Sequence, residues 1–598
     1  MIARLVKEYE ERYLKTFNDD FNGRVYKLLL DLKDPSLHQS QVAIDYVTNL
    51  AKSLKSPLKV GVIGQFSSGK STLLNLVLGK NILPTGVIPV TFMPTFLKYH
   101  KDYLLGVKFD DKDEILVDAS ELDSYTDQRK EGKNSKQISI YSPSDILKNI
   151  TFVDTPGLNA NEKDEKTTKA MLKDFHLIVW LSLAQNAGKK SEQDTLKSLD
   201  IPSKSICLIN QKDKLTLDEQ EVLKKHCDNV FGGIFNEILL ISCKQKEQNI
   251  EGSGYDEFIK YLCSLDSDEI KKEYIKSRLK ELKQDLKRQC EVIKTPYIDI
   301  KNIISLYEKT LLNDEVLSYI KSLEEKILIK LKEIANQITE FIQSKITTKQ
   351  TKFYTQNTSL LHKNCFKEHC YEVSNLLVDN IYSDLFFNQD KFSRQFKKIN
   401  HDLKNDFLKL KNLISSSTDK LSYDIDLITT KYSSFSKDNE FFSDNEFLSV
   451  RNFCYSLKSV ILGDLLVEQN ATFSSIDSFF DKLELKAFNN FMQATRLALS
   501  ELYEKIEASK QFYEIDNANF SLYIPSTKDI YERLLVSFNF YEFEQMVEKS
   551  YLKKLYLELV SNLAQKVEQK HRFLDKKLEE STKQSLHFDT IFENVLKG

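Results

Sequence analysis

The sequence predicts two fold types in one chain: an α/β domain with a mostly parallel sheet covered by helices on both faces, and a long all-α helical bundle. Three observations carry this. First, glycine and proline are spent early: after Gly254 only Gly463 and Gly598 occur, and after Pro296 only Pro525 remains. Few breakers over so long a stretch predict long helices. Second, apolar residues there step by threes and fours. Ile275, Leu279, Leu282, Leu286, Cys290 and Ile293 form one stripe; Ile320, Leu323, Ile327, Leu331, Ile334, Ile338 and Phe341 form another. Leu552, Leu555, Leu559, Leu563, Val567 and Leu574 form a third. Such seams predict helices packed lengthwise. Third, between 58 and 262 the pattern changes to short apolar runs, among them Val60–Ile63, Ile150–Val153, Leu177–Leu181, Ile206–Ile209 and Ile238–Ile241. Uninterrupted apolar strands suit a parallel sheet buried on both faces.

In chain order, residues 1–57 are expected to be helices of the bundle, with Ile2, Leu5, Val6, Tyr9 and Tyr13 on one face. Residues 58–262 are the α/β domain. Residues 263–545 continue the bundle, and 546–598 form a C-terminal helix that returns to pack beside the N-terminal one. If the helical half folds back once, its turn falls near 415–475. That region holds the aromatic, polar stretch from Tyr432 to Asp444 and the run Val460–Val467. The run reads either as bundle core or as an apolar tip, with core the simpler reading. Upstream, Lys391, Arg394, Lys397, Lys398, Lys404, Lys409 and Lys411 alternate with the stripe Phe392, Phe396, Ile399, Leu403, Phe407 and Leu410. A packed helix with a solvated face accounts for both sets, and anionic lipid is the other candidate for the basic side.

Composition removes several classes. A net charge of −3 lacks the basic footprint of a nucleic-acid binder. The opening residues carry acids where a signal peptide needs an apolar run, and no stretch reaches the roughly 18 apolar residues of a spanning helix. A cytoplasmic protein is expected, with any membrane association peripheral. None of the eight cysteines forms a CxxC pair, which argues against a zinc ribbon or disulfide framework. His362, Cys365 and His369 would share a face if helical, with Cys370 beside them, but one helix face supplies too few converging ligands. No structural metal is expected there.

Chemistry concentrates in four motifs. Gly64-Gln65-Phe66-Ser67-Ser68-Gly69-Lys70-Ser71 fits GxxxxGK[ST], follows a strand and opens an apolar helix that begins Thr72-Leu73-Leu74. Its glycines let backbone N–H groups converge on phosphate oxygens at a helix N-terminus. Lys70 would reach the β- and γ-phosphates, and the Ser71 hydroxyl would bind Mg²⁺. Asp154-Thr155-Pro156-Gly157 ends the next strand, where Asp154 can bind Mg²⁺ through water and the Gly157 N–H can contact the γ-phosphate. Asn210-Gln211-Lys212-Asp213 follows a third strand. The Asp213 carboxylate can accept two hydrogen bonds from guanine, groups that adenine lacks, so the pattern favours GTP over ATP. It departs from [NT]KxD in having Gln211 where lysine is usual and Lys212 one place later. Ser242-Cys243-Lys244 after a fourth strand looks like the SAK motif, whose backbone touches the guanine oxygen.

Taken in order, GQFSSGKST at 64–72, Thr91, DTPG at 154–157, NQKD at 210–213 and SCK at 242–244 resemble the dynamin-like GTPases, the bacterial members above all. The motifs cover about 59–245; beyond them only the family's neck and trunk architecture is similar. By that resemblance Thr91, in the first switch, closes over the nucleotide and coordinates Mg²⁺ together with Ser71 and Asp154. Ser67 matches the loop serine that positions a charge-compensating cation. Phe66 stands where eukaryotic dynamins carry the water-orienting glutamine, and Leu158 offers no replacement, so the group that positions water stays unassigned. The resemblance implies a GTP- and GDP-binding enzyme coupled to self-assembly, or to assembly with a second dynamin-like protein. It also implies remodelling of anionic membranes at the inner face of the cell membrane. A soluble GTPase scaffold with a helical docking arm is the alternative.

Overall fold

The computed structural model describes residues 19–34, 37, 39–65, 67–84, 94–109, 114–118, 135–155, 171–197, 199, 201, 204–357, 365–388 and 390–597. The chain divides into two compact units. The first takes the chain up to Cys290, together with Lys437–Asp444 and the last stretch from Lys583; the second takes Glu291–Ser436 and Asn445–Thr582.

The first unit begins with α1 (Phe21–Leu32) and α2 (Gln41–Ser53), each with a side-chain cap: Asp20 accepts from Gly23 N at 2.7 Å and Ser40 from Ala43 N at 3.3 Å. Next come β1 (Leu58–Gly64), α3 (Lys70–Leu78), β2 (Thr95–Tyr99), β3 (Leu104–Phe109), β4 (Ile115–Asp118), β5 (Ser135–Ser142) and β6 (Ile150–Asp154). They are followed by β7 (Leu177–Leu183), α4 (Lys190–Lys197), β8 (Ser205–Asn210), α5 (Leu217–Phe231), β9 (Glu237–Leu240), α6 (Cys243–Glu247) and α7 (Tyr255–Ser264).

These strands form one nine-stranded sheet in the order β4-β3-β5-β2-β6-β1-β7-β8-β9. Neighbours from β6 to β9 are parallel; β2 and β3 bring in the antiparallel pairings. The strand period of two divides the apolar runs between two cores. Val60, Val62, Phe152, Val179 and Leu208 bury on one face, and Ile63, Val153, Ile178, Trp180 and Ile209 on the other. Both faces being covered is why these strands read as continuous apolar runs.

Helix α8 (Ser267–Thr310) starts in this unit. Its residues Ile275, Leu279, Leu282, Leu286 and Cys290 are buried. The chain's last helix, α16 (Tyr551–Leu596), ends here: Asp589 pairs with Lys283 and Lys287 at 2.8 and 2.7 Å, and Gln584 Nε2 donates to Leu37 O at 2.6 Å. The predicted face from Ile2 to Tyr13 lies outside the described residues.

The second unit adds α9 (Asp314–Lys345), β10 (Thr347–Asn357), β11 (Cys365–Asn375), α10 (Val378–Ser383), α11 (Asp390–Lys431), α12 (Asp444–Leu457), α13 (Gly463–Ile515), α14 (Thr527–Phe538) and α15 (Phe540–Glu548). The α9 stripe Ile320, Leu323, Ile327, Leu331, Ile334 and Ile338 is buried, as are Leu559, Leu563, Val567 and Leu574 of α16. On α11, Phe396, Ile399, Leu403, Phe407 and Leu410 are buried, and Phe396 and Phe407 meet Phe488 and Phe480 of α13.

Three expectations need correction. The chain does turn within 415–475, between α11 and α12, but not at the far end of a single fold-back: the helical half turns again between α13 and α14, and Lys437–Asp444, in the earlier turn, belongs to the first unit. There Ser40 N donates to Phe441 O at 2.9 Å, Gln39 bridges Phe442, and the Tyr46 and Phe441 rings lie 5.2 Å apart. The run Val460–Val467 is neither all core nor an apolar tip: Ile461, Leu462 and Leu465 are buried while Val467 is exposed. The helical reading of Cys365, His369 and Cys370 also fails. They sit on β11, which pairs antiparallel with β10 from Thr347↔Asn375 to Asn357↔Cys365. His369 stacks on Phe353 at 4.8 Å and its Nε2 lies 2.9 Å from Thr355 Oγ1. His362 lies outside the described residues, among which no His, Cys, Asp and Glu side chains converge as a metal site.

Candidate functional site

The four motifs meet at the C-terminal edge of the parallel strands, because each ends one of β1, β6, β8 and β9. After β1 the chain curls through Ser67, whose φ is +61°, and Gly69, whose φ is +96°, before α3 begins at Lys70. Both loop glycines are required. A Cβ on Gly64 would sit 2.3 Å from Leu181 O, and one on Gly69 2.4 Å from Asn210 Nδ2. Lys70 Nζ folds back over the loop to donate to Gly64 O at 3.1 Å and Gln65 O at 3.3 Å. Burial pulls its pKa below the usual lysine value, and the Asp154 charge opposes that shift. The Ser68 side chain is buried and its hydroxyl has no partner among the described residues. Asp154 is buried at the end of β6, and the Thr155 hydroxyl donates to Val62 O at 2.9 Å, tying this loop to β1.

Asn210 joins the phosphate loop to the loops that follow β8 and β9. Its Nδ2 donates to Ser68 O at 3.1 Å, while its Oδ1 accepts from Gln211 N at 2.8 Å and Cys243 N at 3.2 Å. Gln211 is left-handed, with φ +71°, and its Oε1 accepts from Lys214 Nζ at 2.7 Å. Lys212 contributes its backbone N–H, which donates to Ile241 O at 3.2 Å. Asp213 accepts from the Ser242 hydroxyl at 2.6 Å, and that hydroxyl in turn accepts from Gln245 N at 3.1 Å. Cys243 is buried and burial pushes its thiol up to about 12, which leaves the side chain inert. Lys244 is exposed. Ser71 and Thr72 lie half-buried on the first turn of α3. Phe66, Thr91 and Gly157 fall outside the described residues.

One residue escaped the sequence reading. Asn75, on the apolar helix α3, is buried; its Nδ2 donates to Leu83 O at 2.8 Å, and its Oδ1 accepts from Ile82 N and Leu83 N at 3.1 and 2.8 Å. It anchors Ile82 and Leu83, just beyond the end of α3. The available signal was an amide between Leu74 and Leu76, where every neighbour in the pattern is apolar.

Placed together, a curled glycine loop at a helix start, a buried acid at the next strand end and a loop carboxylate braced by serine can hold a triphosphate and read a guanine. Comparison with known proteins agrees. A sequence model described as Dynamin family matches residues 60–213. Dynamin-like protein 2 of Campylobacter jejuni is 37% identical over 605 residues, covering 100% of this chain and 99% of that protein. The chain belongs to the dynamin family. It is a GTPase of the bacterial dynamin-like group, hydrolysing GTP. A solved bacterial dynamin structure superposes with a TM-score of 0.85 at 36% identity, covering 99% of this chain and 98% of that one. It belongs to an oligomerised bacterial dynamin pair that provides a mechanism for long-range sensing and tethering of membranes. The bacterial dynamin-like protein of Nostoc punctiforme is 25% identical over 265 residues, covering 41% of this chain and 36% of that protein.

Proposed function

We propose that this dynamin-family GTPase couples GTP hydrolysis to assembly, with its own copies or with a second dynamin-like chain, and thereby to tethering, fusion or fission of membranes. The carrying observation is the hydrogen-bonded path from Asp213 and Ser242 through Cys243 N and Asn210 to Ser68 O. It makes one frame of the loop that would read guanine and the loop that would hold phosphate. In this reading Gly64, Gln65, Phe66, Ser67, Ser68 and Gly69 cradle the phosphates with Thr72 on the helix behind them. Lys70 exchanges its carbonyl partners for β- and γ-phosphate oxygens. Asp213 takes the guanine N1 and N2 donors, with Lys212 and Ser242–Lys244 lining the base.

The Ser71 hydroxyl and the Asp154 carboxylate are hard oxygen donors of the kind Mg²⁺ takes, and Asp154 is coupled to the loop through Lys70. They would hold the ion, with Thr91 joining them. Bound there, Mg²⁺ neutralises charge developing on the β- and γ-phosphate oxygens. Ser67 would place a second cation. Gly157 would contact the γ-phosphate.

Membrane contact would be peripheral, since among the described residues no helix is long and apolar enough to cross a membrane. Instead of 415–475, we assign lipid contact to the β10–β11 hairpin and the adjoining end of α13. Phe353 and Tyr371 pack on Tyr513 there, and Phe512 stacks on Phe520 at 5.4 Å. Tyr354, Phe366, Phe512, Ile515 and Ile524 are exposed around them, an apolar surface suited to a bilayer.

GTP turnover of wild type and Lys70→Ala, measured across protein concentrations with and without anionic liposomes, tests this. Turnover should rise with both variables and fall about a hundredfold or more in the variant. Turnover flat in concentration and lipid would sink the assembly reading and favour the soluble scaffold.

A further inference from the structure

In the second unit, α13 and the α15–α16 junction border an open cleft of about 620 Å³, within the size range of small-molecule sites. Three ammonium groups line it: Lys482 from α13, Lys549 from the junction and Lys554 from the first turn of α16. Among the described residues no Asp or Glu lines it. Bundle lysines nearby are neutralised, Lys486 by Glu542 and Lys411 by Asp477. The three cleft lysines have no ion-pair partner among the described residues. Like charges gathered without counter-charge repel one another, and an anion between them would relieve this.

The rest of the lining suits a phosphorylated guest. Ser474 and Ser478 add hydroxyls, and the Phe479 and Tyr551 rings, stacked at 5.2 Å and 30°, make a flat apolar wall. The junction is held in shape from behind. Ser550 is left-handed, with φ +43°, and its hydroxyl donates to the Glu324 carboxylate at 3.0 Å. That carboxylate also accepts from the Leu552 backbone at the start of α16. The helix terminus is therefore capped by Glu324, and the cleft's appeal to an anion comes from its lysines.

We propose that this cleft binds a small polyphosphorylated anion whose charge is met by Lys482, Lys549 and Lys554, at a site separate from the phosphate loop. A free polyphosphate compound and a phosphorylated lipid headgroup share that chemistry. The test uses the full chain with its nucleotide site saturated by GDP. Pyrophosphate is titrated calorimetrically in one arm. In the other, phosphatidylcholine vesicles with and without phosphatidylinositol 4-phosphate are co-sedimented.

One saturable pyrophosphate site is expected beyond bound GDP. It should weaken about tenfold or more in the double variant Lys482→Gln/Lys554→Gln and persist in Lys482→Arg, which keeps the charge. Basal GTP turnover and melting temperature should be unchanged in both. Lysine-dependent binding confined to the phosphoinositide vesicles assigns the site to a headgroup. Absence of lysine-dependent binding in both arms, with the variants folded, overturns the proposal.

Discussion

Different chemistry holds each of the two units together internally: hydrogen-bonding amides within the nucleotide-bearing unit, apolar burial within the helical one. Around the site, buried amides replace regular structure: Asn75 and Asn210 each make three hydrogen bonds to backbone in loops that no ladder supports. In the helical unit the backbone satisfies itself, so side chains contribute apolar burial. Phe538 is fully buried, stacked on Phe491 at 4.1 Å and on Phe543 at 4.9 Å. That unit's polar contacts include ion pairs at the surface, such as Arg533–Glu501 at 2.6 Å, and a few buried hydrogen bonds, such as Thr418 Oγ1 to Gln469 Oε1 at 2.8 Å. A loop that must meet a ligand cannot bury itself in an apolar core, so its shape has to be specified by hydrogen bonds.

The sharpest way to break this contrast pairs two truncations. Phe538→Ala should destabilise the helical unit by about 3–5 kcal/mol while the remaining folded protein turns over GTP at its basal rate. Asn210→Ala should cost about 1–3 kcal/mol yet lose most nucleotide affinity, because the two loops it joins drift apart. Denaturant melts with matched GTP titrations separate the two, and equal loss of affinity in both variants would refute the distinction.

Next in size is a pH effect confined to the nucleotide-bearing unit. His176 is buried against Lys59, whose N–H donates to its Nδ1 at 3.0 Å, and burial with the Lys271 and Lys59 charges lowers its pKa to about 4. Folding therefore holds it neutral while the unfolded chain titrates near 6.5. Its contribution is complete above pH 6.5 and is lost as pH falls from 6.5 towards 4. Between pH 7.5 and 5 the wild type should lose about 2 kcal/mol more stability than His176→Asn. Parallel pH profiles would show that this histidine titrates normally in the fold. The smallest effect belongs to the helical surface: Arg533→Ala should cost below about 1 kcal/mol, and a larger loss would mean that ion pairs carry more of the bundle than its apolar seams allow.

Much of this protein was written locally. The phosphate loop is contiguous, its glycines are dictated by backbone approach, and the stripes on α8, α9 and α16 are periodic over many turns, so a short window of sequence suffices to read them. Asn75 was hidden because its meaning depends on Ile82 and Leu83, which come to it only after the helix ends. The β10–β11 hairpin was hidden because its alternation, buried Phe353, Tyr371 and Val373 between charged and polar neighbours, sits among helical stretches equally free of breakers. The path of Lys437–Asp444 lay furthest from view. Ser40 meets Phe441 across four hundred residues of chain, and no local period encodes so distant a pairing. The phosphate-loop and guanine-loop motifs and the helical seams are legible in the chain alone, since both follow from near neighbours. Tertiary structure decided which unit the middle of the chain joins, where the exposed apolar surface lies and how the lysine-lined cleft forms, since each depends on packing between segments remote in sequence.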